Sequence, residues 1–239
     1  MNINTAIREK LLAVATETVN KDNGYSEERK IAWIAVIGKL RSYTSIDELE
    51  SIAFGETRDK VALAALEALT KLPDASIYYR KVLSSDDFTT KKLAVAALVC
   101  ASLKLLDTTD RIVELLLSPK RRVNGHSFAY ALKALDWVPA TDAEIFHFHY
   151  FLSWDKQVVD LGERAVPFLA DFLFHDSFVD RKSLNRKALD LLEEIGGSST
   201  LEILLDAYQD TDFHDKQKVL EAIQKIVADA EFEIEVQNA

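Results

Sequence analysis

The chain has 239 residues, of which 48% are hydrophobic and 28% are charged, and its formal net charge is −10 at pH 7. This composition provides enough apolar side chains for a large core and excludes an intrinsically disordered chain. No segment reaches the roughly 18 consecutive apolar residues of a membrane-spanning helix, and the N-terminal segment alternates charged and apolar residues, unlike a signal peptide. We therefore expect a cytoplasmic protein that does not interact with a membrane.

Glycine and proline are scarce, with seven and four residues in the whole chain. A strand-rich protein of this length needs more of these turn residues, so the composition predicts long helices joined by tight connections. The single cysteine, Cys100, cannot form an internal disulfide, and it lies in an alanine-rich segment where a small thiol packs well. The chain is therefore expected to be all-α, with a buried thiol.

The predicted helices follow one another in pairs along the first part of the chain. Residues 1–24 form an N-terminal capping helix that stops near Gly24, because glycine readily adopts the left-handed cap conformation. Ser45 and Glu48 resemble a capping box, which predicts that a helix begins there. The other helices predicted before Pro139 are 26–40, 57–72, 76–83, 89–106, 108–117 and 123–138.

The register of the helix pairs breaks after Pro139. The segment 140–162 does not fit the preceding pairs, and we interpret it as an irregular insert. The tail 230–239 is expected to fray. The helices predicted between the insert and the tail are 163–174, 179–195, 198–209 and 213–228.

A loose Ala-Leu-x-x-Leu pattern recurs along the chain, and its spacing indicates a repeat. The steps between copies are 32, 32, 34, 57 and 31 residues, each close to one helical hairpin except the fourth. A fixed period of this size predicts a solenoid, in which each unit buries its apolar face by stacking on the next. We therefore predict an all-α, right-handed α-solenoid of about six antiparallel helical hairpins in one domain, 1–239. The copies begin at Trp33, Ala65, Ala97, Ala131, Ala188 and Val219.

The turns and closing residues of these pairs resemble a known type of repeat. Asp176–Arg181, followed by Ala188 and by Ile195–Gly196, is the best copy, and Gly55–Arg58 before Ala62 is a weaker one. The pattern resembles the HEAT-like repeats of the phycobilisome-lyase type across nearly the whole chain. That resemblance implies a helical-repeat fold. It implies no single function, because the family includes scaffolds, assembly factors and bilin-chromophore lyase subunits.

Charge is distributed unevenly along the sequence. Residues 1–120 contain 17 Lys and Arg against 17 Asp and Glu, whereas residues 121–239 contain 12 against 22. An acidic half disfavours binding to a nucleic-acid backbone, which depends on Lys and Arg displacing counterions. It favours a basic protein partner, although a surface of this charge also serves solubility alone.

Lys120, Arg121 and Arg122 form a local basic group with His126 and Tyr130 on the helix predicted to follow. This group could bind an anionic ligand. Alternatively, basic residues at the start of the second helix of each pair form a ladder with carboxylates of the preceding turn, and such surface pairs contribute little individually. The members of that ladder are Arg58, Lys91, Lys92, Arg122, Arg181 and Lys216.

The insert contains a dense run of aromatic and histidine residues. His147 and His149 are two residues apart, so on a helix they point to opposite faces and cannot share a metal ion. The aromatic residues, which include Tyr150 and Trp154, either fill the mismatch in the repeat or form an exposed interaction surface. The sequence leaves both interpretations open.

The sequence contains no glycine-rich phosphate loop, nucleophile elbow or complete metal-ligand set, so we expect no catalytic residue, no metal and no cofactor. We predict a non-enzymatic scaffold or adaptor that binds a protein, rather than a small molecule, in its concave face. The alternatives are a bilin lyase-like subunit that binds an anionic chromophore and a HEAT-like nucleic-acid-binding protein. The predicted partner-binding residues are Arg121, Arg122, His126, Tyr130, His147, Tyr150 and Trp154.

Overall fold

The structure, a computed structural model, describes residues 5–20, 26–40, 43–54, 60–174, 181–210, 213 and 215–237. Within these ranges the chain forms 14 α-helices and three short 3-10 helices, and it forms no strand. No helix in the same ranges is long and apolar enough to cross a membrane. The chain divides into two compact units, Met1–Val138 and Pro139–Ala239.

The first unit consists of helices that alternate as the predicted hairpins do. Short 3-10 helices at Leu106–Thr108 and Pro119–Asn124 lead into its last two α-helices. The α-helices of this unit are α1 (Thr5–Asn20), α2 (Glu27–Leu40), α3 (Tyr43–Ala53), α4 (Lys60–Thr70), α5 (Ala75–Leu83), α6 (Thr90–Ser102), α7 (Thr109–Leu117) and α8 (Gly125–Ala134).

The second helix of each pair in this unit stacks on the second helix of the next pair. α2 contacts α4, α4 contacts α6 and α6 contacts α8, and the repeat positions from Trp33 to Ala131 lie on these four helices. Small residues let the helix axes approach, since a Cβ atom added to Gly38 of α2 would lie 3.2 Å from the Cβ atom of Ala68 of α4. This stacking is the solenoid-like arrangement that the period predicts. Its right-handed sense and the single domain stay predictions.

α6 lies at the centre of the first unit and is covered on nearly every side. All nine residues from Leu93 to Ala101 are buried. Helices α3, α4, α5 and α8 contact α6, together with both 3-10 helices of the unit. Burial raises the pKa of the Cys100 thiol to about 12, so Cys100 is a neutral packing residue near pH 7. The prediction of a buried thiol is confirmed.

The second unit contains three more helix pairs. A short 3-10 helix at Gly162–Ala165 joins the first of these pairs to the second. The α-helices of this unit are α9 (Asp142–Phe151), α10 (Asp155–Val159), α11 (Val166–Phe174), α12 (Arg181–Ile195), α13 (Gly197–Gln209) and α14 (Lys216–Gln237).

The segment 140–162, predicted as an irregular insert, contains a short helix pair, α9 and α10. α9 contacts α10, and α10 contacts α12 in the same way that α12 contacts α14. The long step of 57 residues between two copies of the repeat pattern therefore contains one additional helix pair. A capping box opens this pair: the Thr141 hydroxyl accepts a hydrogen bond from the Glu144 amide (3.3 Å), and the Glu144 carboxylate accepts one from the Thr141 amide (3.0 Å).

Tight connections between helices explain why so few glycines are needed. Asp74, Lys104, Asp136 and Ser153 adopt φ angles of 55° to 58°, in the left-handed region that commonly ends a helix. Among the described residues, the glycines with a positive φ are Gly162 (56°) and the adjacent pair Gly196 (65°) and Gly197 (84°) where α12 ends. Gly196 belongs to the closing Ile-Gly pair of the repeat resemblance. The turn segments of that resemblance, Asp176–Asp180 and Gly55–Arg58, lie outside the described residues.

Ion pairs connect neighbouring repeats at the spacing of the period. Their partners are mostly 25 to 33 residues apart in sequence, as in Lys60 with Glu27 (3.2 Å) and Arg111 with Asp86 (2.5 Å). Each exposed pair contributes only about 0–1 kcal/mol, so these ion pairs adjust the stacking and do not drive it. Further pairs of this kind are Arg80–Asp107, Lys104–Asp136, Lys187–Asp155, Lys218–Asp190 and Lys225–Glu193.

Two predicted helix boundaries are wrong. Ser45 does not cap α3, because the helix already begins at Tyr43 and Ser45 lies inside it, with 1% of its surface exposed. α14 continues to Gln237, beyond the predicted helix end at residue 228, and so includes most of the tail 230–239, whose fraying stays a prediction. Both errors concern helix ends, which local sequence signals determine less well than the helices themselves.

Candidate functional site

Arg121 connects two neighbouring repeats of the first unit. Its guanidinium donates hydrogen bonds to the carbonyl oxygens of Phe88 (3.2 Å) and Asp86 (3.4 Å) and to the Thr90 hydroxyl (3.0 Å). These groups lie in the connection before α6 and at its first residue. The geometry therefore favours a structural role for Arg121 over a role in binding an anion. This structural role resembles the alternative interpretation, in which basic residues pair with groups of a neighbouring turn.

The other residues of the predicted basic group differ in exposure. Arg122 is 6% exposed, so its guanidinium offers almost no surface to a partner. His126 is exposed and Tyr130 is half-buried, and both lie on α8. Of the remaining ladder members, Arg58 and the side chain of Arg181 lie outside the described residues.

The aromatic run of α9 forms part of the core of the second unit. Phe146 stacks on Tyr150 and on Phe168, with ring centroids 5.3 and 5.2 Å apart. Tyr150 is 1% exposed and His147 is 6% exposed. The Nδ1 atom of His147 donates to the carbonyl oxygen of Ala143 at 2.8 Å, which fixes the imidazole within its own helix. The structure thus favours the interpretation that these residues fill the core.

Trp154 lies in the connection between α9 and α10. It is half-buried, and its ring lies 6.0 Å from Phe148 and 5.5 Å from His149, measured between centroids. Burial lowers the pKa of His149, so its imidazole favours the neutral form. Lys187 of α12 secures the same region, since its Nζ atom donates to the carbonyl oxygen of Tyr150 at 2.8 Å. The predicted site residues of this unit are therefore structural neighbours, and Trp154 retains some exposed surface.

A polar cleft of about 200 Å³ lies between α3 and the start of α6. Its central group is Glu50, which is 7% exposed and accepts a hydrogen bond from the Tyr79 hydroxyl (3.1 Å). The Nζ atom of Lys92 lies 3.2 Å from the other carboxylate oxygen of Glu50. The cleft is lined by Asp47, Glu50, Ser51, Thr89, Lys91, Lys92 and Val95.

Burial and charge act in opposite directions on the groups of this cleft. Burial raises the pKa of Glu50, although the nearby ammonium of Lys92 and the Tyr79 hydroxyl oppose that effect. For Lys92, burial by itself lowers the pKa, but Tyr78 and Glu50 outweigh it and the pKa is raised. The cations and carboxylates of the cleft thus largely satisfy one another. Among the described residues, no group of three or more His, Cys, Asp or Glu could hold a metal ion.

The last helix pair of the second unit has one flank that faces the preceding pair. Lys218 and Lys225 of α14 form ion pairs with Asp190 (3.9 Å) and Glu193 (2.7 Å) of α12. Since 100° separates successive residues of a helix, Leu220, Ile223 and Val227 lie on the opposite side of α14. We call this side, with its counterpart on α13, the far flank.

The far flank continues on α13. The Nζ atom of Lys216, which lies on the far flank of α14, is 5.9 Å from the ring centroid of Tyr208, so both helices present this flank side by side. Leu201 and Leu205 share the same side of α13 as Tyr208, at i, i+4 and i+7. Leu205, Tyr208 and Val227 are 46%, 40% and 40% exposed, whereas Leu201, Leu220 and Ile223 are half-buried.

An acidic stripe lies next to the apolar side chains of α13. Glu202 and Asp206 are both exposed, and they follow Leu201 and Leu205 by one residue each. α13 contains no Lys or Arg. None of the residues predicted from sequence for partner binding lies on this surface. The sequence nevertheless contains one signal for it. α13 carries apolar residues at positions other than the buried Thr200, Leu204 and Ala207, so apolar side chains cover more of its circumference than one buried face requires.

The geometry defines the class: an all-α helical-repeat protein with solenoid-like stacking in each unit. Comparison of the sequence with models of known protein families finds no match, and comparison with curated proteins finds none either. A structural comparison finds a likeness to human deoxyhypusine hydroxylase in complex with glycerol, with 17% identity over 93% of this chain and 88% of that chain. Its TM-score of 0.30 is too low for the likeness to define a shared fold or function.

Proposed function

We propose that this chain is a non-enzymatic scaffold or adaptor whose second unit binds a basic protein partner. The division of charge between the two units carries the proposal. The first unit contains 20 Lys and Arg against 18 Asp and Glu, and the second contains 9 against 21. All of the net negative charge therefore belongs to the second unit.

Among the described side chains of the second unit, most cations are used for internal contacts. Because these pairs cancel locally, the surplus carboxylates dominate the field that a partner meets. Such a field accelerates encounter with a positively charged partner and repels acidic ones, while buried apolar contacts supply most of the affinity. Where the structure describes the side chains of this unit, the cations within 4.0 Å of a carboxylate are Arg164, Arg186, Lys187, Lys218 and Lys225.

The surface that we propose differs from the seven residues predicted from sequence. Arg122, His147 and Tyr150 are buried, and Arg121 is bound to neighbouring carbonyl groups, so these four do not belong to it. His126, Tyr130 and Trp154 keep exposed or half-buried surface and stay candidates for partner contact. The concave face is a weaker candidate than the sequence pattern suggests, because α6, the central second helix of the first unit, is buried along most of its length.

The test is affinity capture of proteins from a cell lysate by the full-length chain, followed by binding measurements with each purified partner. We expect basic proteins whose affinity falls several-fold between about 0.05 and 0.3 M salt, because screening weakens surface charges. The triple variant Glu194→Gln, Glu202→Gln, Asp206→Asn should weaken binding, whereas Glu9→Gln, Asp110→Asn on the first unit should not. Partners that are acidic, or equal binding by all three proteins, would contradict the proposal.

The bilin lyase-like alternative stays a separate hypothesis. It needs arginines and histidines in a groove, whereas Arg122 and His147 are 6% exposed each. A bilin titrated from micromolar to millimolar concentration into the full-length chain tests it by absorption spectroscopy. A spectral change would support that alternative over the scaffold. The nucleic-acid-binding alternative predicts a shift of duplex DNA at low salt.

A further inference from the structure

We infer that the far flank of α13 and α14 is a docking surface for an amphipathic, basic helix of the partner protein. This inference rests on the proposed function, because it specifies where the second unit meets its basic partner and which chemistry the partner presents. Three observations carry it: an apolar flank on the last helix pair, an acidic stripe beside that flank, and helical spacing of the apolar residues.

The apolar flank is unusual when it is compared with the helix pair before it. α12 receives α14 on one side and α10 and α11 on others, and its residues Leu189, Leu191 and Leu192 are all at most 3% exposed. Among the described side chains of α14, Val219 and Ala222 have no exposed surface, whereas Val227 on the far flank is 40% exposed. A helical repeat buries its apolar surface by stacking on the next unit, so an uncovered flank of this composition suits another helix.

The charge around the flank selects the kind of helix that would cover it. Glu202 and Asp206 form a line of carboxylates along α13, one residue away from the apolar line of Leu201 and Leu205. A partner helix with leucine-like residues against the apolar line would therefore place Lys or Arg residues opposite the carboxylates. Acidic helices would meet like charges at the same positions, which is unfavourable.

The dimensions of the flank also suit a helix. Leu201 and Tyr208 are seven residues apart, which corresponds to roughly 10 Å along α13 at about 1.5 Å per residue. Two turns of a partner helix would match this length, with anchors at i, i+3 or i+4, and i+7, the spacing by which amphipathic helices bind in grooves. Tyr208 is suited to be one anchor, because tyrosine buries a large rigid surface at interfaces and Lys216 already lies beside its ring.

The probe is a synthetic amphipathic peptide of Leu and Lys with apolar residues at helical spacing, and its binding to the full-length chain is measured by fluorescence anisotropy. A peptide of the same composition in scrambled order separates helix docking from charge attraction alone, and an amphipathic Leu and Glu peptide tests the sign of the charge. The variants are Leu205→Ser and Tyr208→Ser. The matched control is Leu63→Ser on α4, since Leu63 is 49% exposed.

We expect the ordered Leu and Lys peptide to bind roughly tenfold more tightly than the scrambled peptide. Leu205→Ser and Tyr208→Ser should each remove most of that advantage, and Leu63→Ser should leave it unchanged, with circular dichroism confirming that every variant is folded. If the two basic peptides bind equally and no variant matters, docking on the far flank is wrong while the basic partner stands. If neither basic peptide binds and the Leu and Glu peptide does, both proposals fail.

A second copy of this chain is the other possible occupant, and sedimentation velocity detects it. Dimers that Leu205→Ser dissociates and Leu63→Ser preserves would overturn the assignment of a partner helix, because the flank would then join two copies. A monomer over the measured concentration range supports that assignment.

Discussion

α6 in the first unit and the α13 and α14 pair in the second unit show the same kind of helix in two different surroundings. α6 is contacted by four α-helices, and all nine residues from Leu93 to Ala101 are buried. α13 and α14 pack on each other and on the preceding pair, and they leave Leu205, Tyr208 and Val227 at least 40% exposed. The difference lies in how many sides another helix covers, because both regions are apolar.

This difference separates the parts of the chain that hold the fold from the parts available for binding. Where helices cover a segment on all sides, its apolar residues contribute to stability by removing surface from water. Where one flank is uncovered, apolar residues of the same type contribute little to folding and are free to bind a partner. Substitutions in the covered region should therefore change the stability of the fold. Substitutions on the far flank should change the affinity for a partner.

The largest expected effect is the difference in the free energy of unfolding between two Leu→Ala substitutions, one in each region. Leu93→Ala on α6 removes a side chain with 0% exposure and should lower the free energy of unfolding by about 2–5 kcal/mol, because it leaves a cavity. Leu205→Ala on α13 should change it by less than about 0.5 kcal/mol. Urea unfolding followed by circular dichroism measures both. Comparable losses for the two variants would mean that the far flank is covered in solution.

A smaller effect is expected when side chains are enlarged. Ala97→Leu on α6 should cost about 1–3 kcal/mol, because Ala97 has no exposed surface and α6 is packed against both α4 and α8. Ala228 on α14 is exposed, so Ala228→Leu should be nearly neutral. The melting temperatures of the two variants give the comparison. A neutral Ala97→Leu would show that α6 is less tightly packed than its burial indicates.

The sequence predicts the covered regions well because their signal is repeated. Residues such as Ala65 and Ala97 recur at the period of one hairpin, so each copy of the pattern supports the helix assignment of the next. The short helix pair of α9 and α10 could not be predicted in this way, since α10 has five residues and no copy of the pattern. One local signal was present, because Thr141 and Glu144 have the spacing of the capping box that the structure contains. It indicates where a helix begins, but not that the helix pair belongs to the repeat.

The candidate site is less predictable because exposure depends on neighbours distant in sequence. Arg122 and His126 look equivalent in a basic segment, yet the first is buried and the second is exposed. In the same way, Leu205 cannot be distinguished from Leu204 by residue type, although Leu204 is buried and Leu205 is 46% exposed. What decides both cases is packing against other helices of the same unit, which sequence spacing alone does not specify.

The smallest expected effect concerns the carboxyl group of Glu50, which helix stacking buries in the first unit. Burial raises the pKa of Glu50 in the folded chain, so the folded state binds this proton more tightly than the unfolded state does. The resulting stability is fully present below the unfolded pKa of about 4.3 and is lost as pH rises through the folded pKa. Glu50→Gln keeps an acceptor for Tyr79 and removes the titration. The unfolding free energy of the native chain, minus that of the variant, should therefore fall as pH rises above about 4.

Glu67→Gln is the control for the sign of this effect. Glu67 is exposed, and its hydrogen bond with Lys71 lowers the pKa of its carboxyl, so its contribution is present above the unfolded pKa and is lost as pH falls. The same difference for Glu67→Gln should therefore not fall as pH rises. If the two variants gave the same slope, Glu50 would behave as a solvated, ion-paired carboxylate. Water would then reach the cleft between α3 and α6. The difference in exposure between α6 and the far flank would in that case hold for their apolar residues, but not for the charged groups of the cleft.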